Sequence, residues 1–243
     1  MPASTGALGI ITELNVRVRM RDGVELSTNI FRPDADGRFP AIVNRTPYGK
    51  AAGGLERYVR AGYVVLSQDA RGRYESDGEY TFYAEPTHDA EDGYDTVEWA
   101  ARQPWCDGNV GTWGTSYPAW MQWMLAAERP PHLRCINACS IPLENSDVDW
   151  WGAFKPARRI KWWLTTIAPD LRRRAGLPGP HTPAEAREVF DELEGAAWMG
   201  MLPWMEIVNH LPPPLDEQAR RWLENPSVQC WKLAEKHAEI EVP

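Results

Sequence analysis

The stretch that decides the fold is Gly111-Thr-Trp-Gly-Thr-Ser-Tyr-Pro-Ala119, which predicts a strand end, a sharp turn and the beginning of a helix. The residues before Ser116 are β-prone, and residues 120–127 are helix formers without a breaker. Ser116 occupies the junction, where a helix N-terminus supplies backbone N–H groups and a partial positive charge. Both stabilise an alkoxide-like Oγ and the oxyanion that forms after its attack on a carbonyl group. Ser116 is therefore a candidate nucleophile.

This stretch alone allows two interpretations of Ser116. It is either the nucleophile or a helix N-cap, which is a common role of serine at such a junction. Pro118 is compatible with both, because proline fits the first turn of a helix, where it needs no N–H partner. The neighbouring sequence has to decide between them.

The composition is that of a globular protein and excludes several classes of function. The chain has 243 residues, 43% of them hydrophobic, with a net charge of −8 and a pI near 5.2. This charge argues against nucleic acid or an anionic membrane as a partner. Since neither a signal peptide nor an apolar run long enough to span a membrane is evident, we expect a cytoplasmic protein.

The four cysteines are Cys106, Cys135, Cys139 and Cys230. Their spacing does not suggest a disulfide framework, and no histidine pattern accompanies them as a zinc site requires. We expect reduced, partly buried thiols, and neither a metal nor another cofactor.

Strand and helix patterns alternate along the first part of the chain. The predicted strands cover residues 14–18, 24–31, 40–44, 63–68, 110–113 and 133–139, and the predicted helices cover residues 55–61, 88–103 and 120–127. The first two strands form an antiparallel hairpin, and the remaining order implies a mostly parallel sheet. Functional groups then gather at the carboxyl ends of the strands, in the loops after Asn44, Gln68 and Trp113.

The pattern changes from about residue 145. Of the 13 tryptophans, 8 lie after position 149, among helical stretches and proline-rich turns such as Leu211-Pro-Pro-Pro214. No clear buried strand follows until Ile240-Glu-Val242. We predict a core over residues 1–144, an inserted helical cap over residues 145–239, and the start of the next core strand at residues 240–243.

A series of motifs covers most of residues 13–142. They are Met20-Arg-Asp-Gly-Val24, Arg45-Thr-Pro-Tyr48, Gln68-Asp-Ala-Arg-Gly-Arg73, Ser76-Asp-Gly-Glu79, Asp92-Gly-Tyr-Asp-Thr-Val-Glu-Trp99, Gln103-Pro-Trp105 and Gly108-Asn-Val-Gly-Thr-Trp-Gly-Thr-Ser-Tyr117. In order and spacing the chain resembles the cocaine-esterase-like (CocE/NonD) hydrolases and the related X-Pro dipeptidyl-peptidase (S15) family. The resemblance implies an α/β-hydrolase fold, with a mostly parallel sheet and an inserted helical cap.

The resemblance also implies roles for particular residues. Ser116 is the acylated nucleophile, Tyr48 donates its phenol hydroxyl to the oxyanion, and Tyr117 donates its backbone N–H. For Tyr48 the alternative is a tyrosine packed on the surface of a turn. Arg71 and Arg73 are expected to brace the loop beside the site through ion pairs.

A segment containing Asp147, Asp149 and Trp150 resembles one that binds the substrate ammonium group in the α-amino-acid ester hydrolases of this family. Either carboxylate could bind such a group, with the indole face of Trp150 contributing. The alternative, which we favour, is a helix N-cap, because aspartate before an apolar run is a common start signal.

The sequence departs from the family pattern in two ways. Ala119 replaces the last glycine of Gly-x-Ser-Tyr-x-Gly, with Pro118 before it. The family's triad acid and histidine follow the cap, so we expect them beyond residue 243. On that expectation the sheet lacks its last strands, and the chain alone is incomplete and weakly active or inactive.

The leading hypothesis is a serine hydrolase that cleaves a small ester or a short peptide through an acyl-enzyme on Ser116. One alternative is an X-Pro dipeptidyl aminopeptidase. Another is a non-catalytic binding module with a degenerate hydrolase fold that holds a partner on its Trp-rich surface. An unfinished sheet would expose an open strand edge, which favours association, including homo-oligomer formation.

Overall fold

The computed structural model describes residues 9–81, 87–141, 161–189, 201–210, 215–224 and 233–243. The chain divides into two compact units. The first, called the core unit below, comprises Met1–Glu79, His88–Ile141 and Glu235–Pro243. The second unit comprises Tyr80–Thr87 and Pro142–Ala234. Each unit is described by itself.

The core unit is built on a six-stranded sheet with the order β1-β2-β4-β3-β5-β6. The strands are β1 (Gly9–Arg19), β2 (Glu25–Asp34), β3 (Phe39–Thr46), β4 (Val64–Asp69), β5 (Cys106–Thr115) and β6 (Leu133–Cys139). The hairpin partners β1 and β2 are antiparallel, and so are β2 and β4. The pairs β3/β4, β3/β5 and β5/β6 are parallel. The predicted edge hairpin and mostly parallel sheet are confirmed.

Strand β4 begins with three successive apolar residues, Val64, Val65 and Leu66. Val64 and Leu66 enter one hydrophobic cluster, whereas Val65 enters a different cluster with Phe31 and Val59. All residues of β4 are buried. A strand covered on both faces needs apolar side chains at successive positions, whereas a half-exposed strand alternates apolar and polar residues.

Helices cover the sheet of the core unit. They are α1 (Glu56–Arg60), α2 (Asp89–Ala101) and α3 (Tyr117–Ala127). Helices α2 and α3 pack on each other and on β3 and β5, where Val97, Val110 and Leu125 are fully buried or nearly so. Helix α1 packs on β2 and β4 through Val59. This arrangement places the start of α3 directly after the end of β5.

The regular secondary structure in the described residues of the second unit is helical. It contains a π-helical segment (Trp163–Ile167), α4 (Ala168–Arg174), α5 (Pro183–Val189), a 3₁₀ helix (Trp204–His210) and α6 (Leu215–Glu224). Helix α7 (Leu233–Lys236) and a 3₁₀ turn (His237–Glu239) follow it. None of the helices in the described ranges is long and apolar enough to cross a membrane.

The last residues of the chain lie beside β6. The backbone N–H of Ile136 donates to the carbonyl oxygen of Pro243 at 2.8 Å, and Ile240 and Val242 pack against the core cluster. The predicted domain boundaries at residues 144/145 and 239/240 stay predictions.

Two details differ from the sequence expectations. Strand β2 extends beyond its predicted end at residue 31, so that Pro33 lies within it and pairs with Ile10 of the edge strand. Cys135 and Cys139 are exposed rather than partly buried, because they lie on β6, which has a strand neighbour on one side in the six-stranded sheet. Cys106 is buried, and Cys230 lies outside the described residues.

Candidate active site

Ser116 lies between the end of β5 at Thr115 and the start of α3 at Tyr117. Its backbone has φ 63° and ψ −124°, a combination that residues with a Cβ rarely adopt. Ser116 is exposed, and its side chain makes no capping hydrogen bond although it holds the N-cap position. Its conformation is that of a sharp strand-to-helix turn, which lifts the side chain out of the sheet.

Backbone hydrogen bonds fix this turn on both sides. The Ser116 N–H donates to the carbonyl oxygen of Cys139, the last residue of β6, at 2.9 Å. The Ser116 carbonyl oxygen accepts from the N–H groups of Ala119 and Trp120 at 2.9 and 3.0 Å. Tyr117 opens α3, so its backbone N–H lies at the positive end of the helix dipole.

Gln122 ties α3 to the strands beneath the turn. Its buried amide oxygen accepts from the Thr112 hydroxyl at 2.9 Å and from the Asn137 N–H at 3.1 Å. Its Nε2 donates to the carbonyl oxygens of Pro118 and Asn137, both at 3.2 Å. One side chain thus joins the first turn of α3 to β5 and β6.

Tyr48 lies at the same edge of the sheet as Ser116. Strands β3 and β5 are parallel neighbours with Val43 opposite Thr112, and both end three residues later, at Thr46 and Thr115. Tyr48 follows Thr46, and its N–H donates to the Thr46 hydroxyl at 3.1 Å. The Tyr48 side chain is half-buried. The predicted donor and the predicted nucleophile therefore follow adjacent strand ends.

The loop that carries Tyr48 is anchored to the end of β4. Asp69 is fully buried and accepts from the Lys50 N–H at 2.6 Å and from Lys50 Nζ at 2.8 Å. Burial raises the pKa of Asp69, and the hydrogen bonds from Lys50 oppose that shift. Arg73 Nε donates to the Pro47 carbonyl oxygen at 2.9 Å. The backbone on both sides of Tyr48 is thereby held in place.

A buried ionic network lies behind this loop. Asp92 accepts from Arg71 Nε and Nη2 at 3.0 and 2.6 Å, and its Oδ2 lies 3.6 Å from Arg45 Nη2. Arg71 Nη1 also donates to Asp22 at 2.7 Å. The ion pairs expected of Arg71 are confirmed. Arg73 donates to the Pro47 carbonyl oxygen, and the ion pair expected of it stays a prediction.

The histidine side chains of the core unit are engaged elsewhere. His88 Nδ1 lies 3.0 Å from Glu91, and His132 Nδ1 lies 2.9 Å from Glu98. The His237 ring lies 6.3 Å from the Trp123 ring between centroids, and the two rings are tilted by 46°. His132 also precedes β6, at the end of the sheet opposite to Ser116. None of these contacts brings an imidazole to the Ser116 hydroxyl.

The segment suggested to bind a substrate ammonium group lies outside the described residues. Its members are Asp147, Asp149 and Trp150. Within the described ranges, no group of three His, Cys, Asp or Glu side chains could hold a metal ion. The roles assigned to Ser116, Tyr48 and Tyr117 stay predictions.

Sequence reasoning missed side chains that support the site, namely Asp69, Lys50 and Gln122. One of them carried a visible signal, because Gln122 is the one polar residue in the helical stretch of residues 120–127. A lone polar residue in an apolar element is buried at a cost unless it is hydrogen-bonded, so its position predicts hydrogen-bond partners.

An apolar cavity of about 380 Å³ lies elsewhere on the core unit. Its lining includes Ile42, Tyr58, Gly111, Trp113 and Cys135. These residues come from α1 and from β3, β5 and β6, on the face that carries α1. The cavity lies along the strands and does not include Ser116 or Tyr48.

Comparisons with known proteins identify the family of this chain. The family model of the X-Pro dipeptidyl-peptidase (S15 family) matches residues 22–229. The chain is 40% identical over 218 residues to cocaine esterase of Rhodococcus sp. (strain MB1 Bresler), which covers 84% of this chain and 37% of that protein. The chain thus spans well under half of this relative.

Comparison with solved structures indicates the same family of hydrolases and its fold. A CocE/NonD family hydrolase from Staphylococcus aureus superposes with a TM-score of 0.56 at 30% identity, over 75% of this chain and 37% of that one. An α-amino acid ester hydrolase gives a TM-score of 0.54 at 21% identity, over 87% and 42%, which supports the fold alone. The fold is that of an α/β-hydrolase, and the chain belongs to the X-Pro dipeptidyl-peptidase (S15) family of CocE/NonD-type hydrolases.

Proposed function

We propose that this chain carries the nucleophile and the oxyanion donors of a serine hydrolase that cleaves an ester or an amide. The observation that carries the proposal is the backbone of Ser116, with φ 63° on an exposed residue between β5 and α3. This conformation costs stability, and at Ser116 it forms the strand-to-helix turn that exposes the hydroxyl at the N-terminus of α3.

The proposed chemistry begins with attack of the Ser116 Oγ on the substrate carbonyl carbon. A base accepts the Oγ proton as the new C–O bond forms, and the carbonyl oxygen becomes an oxyanion. The Tyr48 hydroxyl and the Tyr117 N–H donate to that oxygen. Collapse expels the alcohol or amine, which takes up the proton, and water then releases the acid from Ser116.

The substrate class follows from the relatives and is part of the proposal. Cocaine esterase is named for an ester substrate, and its similarity to this chain favours a small ester. The family model is named for peptidases that act after X-Pro, which favours a short peptide with a free N-terminus as the second candidate. A panel of short acyl esters and X-Pro anilides, assayed with the full-length gene product, separates the two.

Ser116 is tested with a fluorophosphonate probe on the full-length gene product. We expect labelling of the wild-type protein, located at residue 116 by peptide mass spectrometry, and none in Ser116→Ala. Ser140→Ala is the matched control, because Ser140 is also exposed, also has a positive φ of 60° and follows β6. Either of two results contradicts the proposal. Labelling that persists in Ser116→Ala would place the reactive nucleophile at another residue, and a wild-type protein that is not labelled would favour a non-catalytic binding module.

A further inference from the structure

The phenol of Tyr117 makes a buried contact that the proposed chemistry does not use. Tyr117 is 3% exposed, and its hydroxyl donates to Asp89 Oδ2 at 3.0 Å. Tyr117 is the first residue of α3, and Asp89 is the first residue of α2. The hydrogen bond therefore joins the starts of two packed helices, 28 residues apart in the chain.

Asp89 is also tied to the strand that leads to Tyr48. Arg45 Nη1 donates to the Asp89 carbonyl oxygen at 2.7 Å, and Arg45 Nε donates to Gln68 at 2.9 Å. Arg45 lies on β3, three residues before Tyr48, and its side chain is 2% exposed. Asp89 thus bonds, through its backbone and its carboxylate, to both chain segments that carry the proposed oxyanion donors.

This connection matters because the turn at Ser116 has a conformation that the backbone would leave if it were free to relax. A positive φ on a residue with a Cβ persists only where the surroundings over-determine it. The Tyr117 side chain is bonded to the Cα that directly follows the donor N–H. A hydrogen bond at the far end of its ring therefore limits rotation of the Ser116–Tyr117 peptide unit.

We propose that Asp89 is a positioning residue for acyl transfer, which holds the Tyr117 N–H in place through the Tyr117 hydroxyl. The inference rests on the proposed function. Oxyanion stabilisation depends on donors that are already oriented before charge develops, so a looser Tyr117 slows the chemical step. Substrate binding in the ground state needs no such orientation and is unaffected.

The test is a double-mutant cycle on the full-length gene product, with Tyr117→Phe, Asp89→Ala and the double variant. Tyr117→Phe removes the donor hydroxyl and Asp89→Ala removes the acceptor, since alanine has no side-chain oxygen. We expect each single variant to lower kcat and the rate of fluorophosphonate labelling roughly 10-fold, less than the loss of a whole oxyanion donor, with KM within about twofold of wild type. The double variant should be no slower than the slower single variant, since both act through one bond.

Asp95→Ala is the matched control. Asp95 is on the same helix, and its carboxylate pairs with Arg21 at the surface. Loss of this surface ion pair should leave kcat unchanged. Melting temperatures of all variants show whether a lower rate follows from unfolding.

Several outcomes overturn the inference. Independent, multiplicative effects of the two substitutions would mean that Asp89 acts elsewhere, and a rise in KM with unchanged kcat would place the pair in substrate binding. If Asp89→Ala fails to fold, Tyr117→Phe decides alone, and unchanged kinetics in that variant overturn the inference. Absence of Ser116-dependent labelling in the wild-type protein overturns the proposed function as well, whereas intact labelling with a neutral Tyr117→Phe overturns only the role of Asp89.

Discussion

Gly114 lies so close to Pro118 that a Cβ at position 114 would be 2.5 Å from the Pro118 Cβ and 2.9 Å from its carbonyl carbon. The end of β5 and the first turn of α3 are thus in contact across the turn at Ser116. The first glycine of the family motif is needed for this approach. Pro118 and Ala119 are tolerated on the helix side, where Ala119 is fully buried.

We expect Gly114→Ala to destabilise the protein by about 1–3 kcal/mol, because the added methyl group overpacks against α3 backbone and Pro118. It should also slow labelling of Ser116, since α3 must shift. Urea unfolding and probe labelling measure the two effects. Gly53→Ala is the control, because a Cβ there meets only Glu56 Oε1 at 3.8 Å. A Gly114→Ala variant as stable as Gly53→Ala would contradict the close contact.

Gln122→Leu should cost about 2–4 kcal/mol of unfolding free energy. The leucine fills similar space but leaves the Thr112 hydroxyl and the Asn137 N–H without their acceptor, and buried unsatisfied donors are costly. Thr112→Val removes one of these donors together with its bond, so we expect a loss of about 1 kcal/mol. Equal urea midpoints for the two variants would show that Gln122 does not join the helix to the sheet.

We expect Asp92→Asn to lower the free energy of unfolding by about 3–5 kcal/mol, more than the substitution of an exposed partner in the same network. The Asp92 and Arg45 side chains are both 2% exposed, and that of Arg71 is 10% exposed. Loss of the carboxylate leaves two buried guanidinium groups short of an anion. Asp22→Asn removes the other, 39% exposed partner of Arg71 and should cost less than about 1 kcal/mol. Comparable losses in urea unfolding would contradict this ranking.

The Asp22–Arg71 pair also predicts a pH dependence. The hydrogen bond from Arg71 lowers the pKa of Asp22 in the folded protein. A carboxylate with a lowered folded pKa contributes stability above its unfolded pKa of about 3.9, and that contribution is lost as pH falls through the folded value. The difference in urea midpoint between wild type and Asp22→Asn should be constant from pH 7 to about pH 5 and shrink on further acidification. A difference that grows toward acid pH would contradict the assigned pair.

The cysteines should react at different rates with iodoacetamide. Burial raises the pKa of the Cys106 thiol, which is 1% exposed, so little reactive thiolate forms there. Cys135 and Cys139 are exposed on β6. Peptide mass spectrometry of this chain at neutral pH should show both modified well before Cys106, and all three modified in denaturant. Modification of Cys106 at the rate of Cys135 in the native protein would contradict its burial.

The sequence by itself determined the elements and their order. The alternation in residues 14–18 predicts the edge hairpin, and the apolar run at the start of residues 63–68 predicts a buried strand. Glycine and proline around Ser116 predict the turn. These features depend on near neighbours in the chain, because strand and helix periodicity and turn chemistry are local properties.

Only the tertiary structure decided which side chains support the site. Asp89 meets Tyr117 because α2 packs on α3, and Asp69 meets Lys50 because β4 pairs with β3. In the sequence Asp89 has the appearance of an ordinary acidic residue in the first turn of a helix. The order β2-β4-β3-β5 brings these partners together, and such pairings between residues far apart in the chain leave no periodic signal in it.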